Sequence, residues 1–164
     1  MIHEDPGRNL KKELNLIAVR INALLTQYIE VHDVVFKFSL RKIIPLPFIF
    51  KATDFSSLHC RAEQIIIELN TCDQQICNFI ENGLSGERFA HFLLKYCQAL
   101  VNAVSLLRVI LHQLYLKSQH LCEYTWKEYD KQVKLYDKAV SVYTTMGDEL
   151  NILYAGFNRQ MKSQ

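Results

Sequence analysis

The sequence predicts an all-α fold: a four-helix bundle of long amphipathic helices, with a long apolar connector between helices one and two. Two observations lead there. Only five glycines and three prolines punctuate 164 residues, too few turn signals for an all-β domain, which needs one every roughly 8 to 12 residues. Along four separate stretches, apolar residues also recur in alternating steps of four and three, the rhythm of one helical face. Each stripe escapes water only by packing against the others, which is the logic of a bundle. A chain of this length buries about 70% of its extended surface, enough for one domain spanning 1–164.

The first helix is expected at about 6–35. Asp5 caps it, Pro6 suits its first position, and its seam is Leu10, Leu14, Ile17, Ile21, Leu24, Tyr28, Val31 and Val35. The second, about 54–82, starts from Asp54 as N-cap and carries Leu58, Ala62, Ile65, Leu69, Cys72, Ile76 and Phe79 on one face. Asn82-Gly83 closes it, because these residues take the left-handed conformation that ends helices. Ser85 is then expected to cap the third helix, about 86–117, and so short a turn makes helices two and three antiparallel neighbours. On helix three the polar residues Arg88, His91, Lys95, Gln98, Asn102, Ser105 and His112 form a narrow stripe. The rest is apolar, which marks the central helix of the core.

A turn is expected at 117–125, followed by a capping box of Thr125 with Glu128. The fourth helix, about 125–158, runs through Trp126, Tyr129, Val133, Tyr136, Val140, Tyr143, Gly147, Leu150, Tyr154 and Phe157. Its phase crosses Gly147, so one long helix is preferred to two. With no Gly or Pro at 117–125, the competing picture is a single helix from 86 to beyond 140, which would expose its apolar face and need a partner chain.

Composition narrows the function. Hydrophobic residues make up 49% and charged residues 22%, values that exclude a disordered chain, a collagen or a disulfide mini-protein. The net charge of +2 argues against a dedicated nucleic-acid binder. Five cysteines, an odd number with no secretory leader, read as reduced thiols in a cytoplasmic protein. The longest apolar run, Tyr96 to Leu107, is about 12 residues and too short to span a bilayer.

The connector at 36–53 stands out. It holds four of the nine phenylalanines, Phe36, Phe38, Phe48 and Phe50, with the bases Lys37, Arg41, Lys42 and Lys51 and no acid before Asp54. Such a segment either packs over the bundle, and could span it to make helices one and two parallel, or serves as a recognition element. Basic residues interleaved with aromatics suit an acidic apolar groove on a partner, or a membrane surface. In helix four, Trp126 and the ladder Tyr129, Tyr136 and Tyr143 form either a core seam or a partner-binding face.

Signals for chemistry are sparse. Arg108 and His112 share one face of helix three, and an imidazole beside a guanidinium supports RNA cleavage by moving a proton and stabilising phosphorane charge. Glu87 with His91 does not reproduce the Glu-x-x-His motif of di-iron bundles. His59 with Glu63 repeats a one-turn spacing, but Glu63 reads as part of an acidic solvent face. No metal site and no cofactor is expected, and no phosphate loop or nucleophile motif is present. The sequence therefore points to a small cytosolic protein-interaction module without intrinsic catalysis: an adaptor, an assembly or secretion-type chaperone, or a complex subunit that binds a protein partner or its own copy. The alternative is a helical-bundle enzyme, a ribonuclease using Arg108 and His112.

Overall fold

The computed structural model describes residues 6–37 and 53–163. They form four α-helices, α1 (Pro6–Lys37), α2 (Phe55–Phe79), α3 (Arg88–Ser118) and α4 (Trp126–Lys162), and contain no strand. The protein is all-α.

Local chemistry sets the helix ends. The Asp54 carboxylate accepts from the Ser57 amide at 3.0 Å, capping α2. α2 runs on into a π-helical turn, Ile80–Leu84, broken by Gly83 at φ 144°, a conformation open to glycine alone. A Cβ at Gly83 would also stand 3.3 Å from Leu10 Cδ1, because α1 presses on this turn. The reversal consumes more chain than the sequence suggested. Leu84 is buried beneath it, and Ser85 stays in the turn as a carbonyl acceptor for His91 Nε2 at 2.8 Å. The cap of α3 is therefore Glu87, not Ser85, with its carboxylate accepting from the Phe89 amide.

At its far end α3 stops at Ser118, and His120 takes a positive φ of 57°. The Thr125–Glu128 capping box then starts α4, so the continuous helix from 86 to beyond 140 does not form. α4 passes Gly147 without a break.

Cross-helix pairs fix the directions. Arg20 meets Glu68 at 3.2 Å and Glu30 meets Arg61 at 2.8 Å, so α1 and α2 are antiparallel, not parallel. Arg108 with Glu63 at 3.3 Å, and the Cys97 thiol donating to the Leu69 carbonyl at 3.4 Å, set α2 against α3 in the same sense. Arg88 with Glu149 at 3.1 Å and the edge-on contact of Tyr96 with Tyr143 do so for α3 and α4. Exposed pairs of this kind stabilise little; their value here is as register marks.

The core is one cluster fed by the seams read from the sequence. α3 packs against each of the other helices and buries eleven residues, among them Leu93, Leu100 and Leu107, with its polar stripe outward. α4, the longest helix, buries only Tyr136, Ala139, Tyr143 and Phe157. Among the described residues α3 is the one helix long and apolar enough to cross a membrane, with mean hydropathy 1.5 over 18 residues. The run from Tyr96 to Leu107 is short when counted strictly, but the average carries over Gln98 and Asn102.

Candidate functional site

The sparse burial of α4 has a cause on its α1 side. Two pins join these helices: Tyr154 donates to Asn15 Oδ1 at 2.8 Å near one end, and Tyr28 meets Tyr136 near the other. Between the pins the walls carry the short side chains of Ala18 and Asn22 on α1 and of Thr144, Gly147 and Asn151 on α4, beside the larger Leu25 and Leu150. They do not fill the gap, and a groove of about 540 Å3 remains. Phe89, Leu93 and Tyr96 of α3 form its floor, while Val19 and Ile29 stand 54% and 45% exposed on its α1 wall. A Cβ at Gly147 would meet nothing within 4 Å. Asp148 lies on the α4 wall and forms no ion pair among the described residues.

Tyr143, on the groove lining, belongs also to an aromatic cluster between α1 and α4. The Tyr28 and Tyr136 hydroxyls share a hydrogen bond of 2.5 Å, and His32 Nδ1 is 2.6 Å from the Tyr136 oxygen. Phe36 stacks on Tyr136, with ring centres 5.3 Å apart. Tyr143 meets Tyr28 and Tyr96 edge-on. Burial drives the phenols of Tyr28 and Tyr136 far above their ordinary value, the bond from Tyr28 partly opposing the rise at Tyr136. Burial likewise pushes Tyr96 up to about 12. These groups stay protonated near neutral pH; they pin helices and shape a surface and do not exchange protons there.

The expected partner-binding residues fall into three groups. Tyr136 is fully buried and belongs to the core, the seam reading of the tyrosine ladder, while Tyr143, also buried, still lines the groove. Phe36 and Tyr129 are half-buried against the core, and Trp126 is 63% exposed at the start of α4, with Lys117 Nζ 5.4 Å from its ring. Phe38, Arg41, Lys42, Phe48 and Phe50 lie outside the described residues. The groove itself went unread in the sequence. Its signal was the run of short residues on one flank of α4, Thr144, Gly147, Asp148 and Asn151, beside an otherwise aromatic seam.

Arg108 and His112 lie elsewhere, on the outer face between α2 and α3. Arg108 is tied to Glu63, and the His112 ring sits 5.2 Å from the ring of His59, a neighbour that sequence spacing did not reveal. The His59 imidazole is held below its ordinary value, by burial first and then by His112 and Arg108, with Glu63 opposing. Glu87 and His91 are engaged locally: Glu87 caps α3 and lies 3.7 Å from Lys11, and His91 bonds Ser85. Among the described residues no set of three or more His, Cys, Asp or Glu side chains is arranged to hold a metal ion.

Against protein-family models, curated proteins and solved structures the chain finds no match. Function is therefore argued from the geometry alone.

Proposed function

We propose that the chain is a single up-down-up-down four-helix bundle that acts as a small cytosolic interaction module, an adaptor, assembly chaperone or complex subunit, with no catalysis of its own. The observation that carries this reading is the open groove between α1 and α4. An apolar floor between two helical walls is what an amphipathic helix fills when it lays its apolar face down with anchors at i, i+3, i+4 and i+7. Asp148 on the wall, without an ion pair among the described residues, favours a partner helix with Lys or Arg along that edge. Five free thiols and the burial of Leu93, Leu100 and Leu107 of α3 against neighbouring helices support a cytosolic setting.

The test is a comparison of two variants. Gly147→Met extends a side chain from a position where a Cβ meets nothing within 4 Å and abolishes recovery of the partner held by the wild type, while Phe48→Ser/Phe50→Ser retains it. The reverse pattern moves recognition to the connector at 36–53. A dimer by light scattering that Gly147→Met dissolves makes the occupant a second copy.

One observation favours the enzyme reading: His59 places a second imidazole beside His112 and Arg108. Against it, Arg108 is neutralised by Glu63 and the patch lines no part of the cavity, whereas reaction sites are concave. RNA cleavage by purified protein, lost in His112→Ala with the fold intact, would reverse this ranking.

A further inference from the structure

We propose that His59 and His112 form a two-histidine site for a divalent transition-metal ion, Zn2+ or Cu2+, that clamps α2 to α3. The two imidazoles come from different helices, and their ring centres stand 5.2 Å apart with a 42° tilt. Two imidazoles on one tetrahedral ion, at metal–nitrogen distances of about 2.0 to 2.1 Å, place their ring centres about 5 Å apart. The observed separation already has that value. Ring rotation about each Cβ–Cγ bond is then the adjustment left for binding.

Metal binding requires neutral imidazole. Of the charged groups facing the pair, Glu63 on α2 follows His59 by one helical turn and Arg108 on α3 precedes His112 by one. They form an ion pair of 3.3 Å, so their fields largely offset. No third ligand is in place among the described residues. The remaining positions belong to water. Imidazole donors select Zn2+ or Cu2+ over Mg2+ and Ca2+, which prefer oxygen.

Titration calorimetry of the full chain with ZnCl2, CuCl2 and MgCl2 at pH 7.5, with the thiols kept reduced, tests the site. We expect one Zn2+ per chain, tighter binding of Cu2+ and no binding of Mg2+. His59→Ala and His112→Ala should each weaken Zn2+ binding at least about tenfold and remove the rise in Tm that Zn2+ gives the wild type. Cys60→Ser and His91→Ala, at exposed positions outside the pair, should leave both unchanged. His59 is half-exposed and His112 exposed, and circular dichroism verifies the fold of each variant. Unaltered binding in either histidine variant, or binding lost with Cys60→Ser, would overturn the site.

Discussion

The hydroxyls of Tyr28 and Tyr136 meet at 2.5 Å in the interior, although 108 residues separate them in the chain. With His32 Nδ1 2.6 Å from the same Tyr136 oxygen, they form a polar pin between α1 and α4 inside the aromatic cluster where Phe36 stacks on Tyr136. A buried hydroxyl left without its partner costs about 1 to 3 kcal/mol, more than the bond itself contributes. Tyr136→Phe should therefore lower stability to urea by about that amount. Tyr28→Phe/Tyr136→Phe should cost less than the sum of the single changes, since contacting residues are non-additive. Additive losses would show that the two hydroxyls act independently.

Alkali should unfold the protein early. The Cys97 thiol rises from 9.0 to about 12 and the Tyr96 phenol from 10.0 to about 12, each mainly through burial. Above the lower values the unfolded chain sheds protons that the folded chain keeps, so stability is full below about pH 9 and falls as pH rises to about 12. Urea midpoints measured across that window check the slope. Tyrosinate absorbance should lag behind free tyrosine and then appear together with unfolding.

On α3, Leu100 and Leu107 are completely buried and Ser105 is not. Replacing either leucine with Ala should cost about 2 to 5 kcal/mol, and Ser105→Ala less than about 0.5 kcal/mol. Similar small losses at all three positions would displace α3 from the centre of the core.

Gly147 sits inside a helix with open space where a Cβ would go. Gly147→Ala should stabilise the protein by about 0.4 to 1 kcal/mol, because the helical conformation is already allowed and the unfolded chain loses freedom. A clear loss of stability would mean that the wall of the groove is closed against something.

What the sequence revealed follows from the range of the physics involved. Seams, caps and breakers act within a few residues, so Asp54, the Thr125–Glu128 box, the stop near Gly83 and the passage through Gly147 were all readable. α4 nevertheless runs to Lys162, past the predicted 158, since polar residues end a helix only weakly when no Gly or Pro follows. The start of α3 was misplaced because burial of Leu84, a tertiary effect, overrode the local preference of Ser85 for capping. The groove and the His59–His112 contact were hidden for the same reason. Both depend on which faces of separate helices meet, and no spacing within one helix encodes that.

Site-specific photo-crosslinking tests the role of the groove most directly. A benzoylphenylalanine at Asn22 or Asn151, on opposite walls, should join the full chain in native lysate to one discrete protein through a basic amphipathic helix of that protein. Gly147→Met should erase the adduct, and the same probe at Gln74, exposed on α2, should not form it. Identical adducts from Gln74 and the groove, or an adduct indifferent to Gly147→Met, would contradict the account.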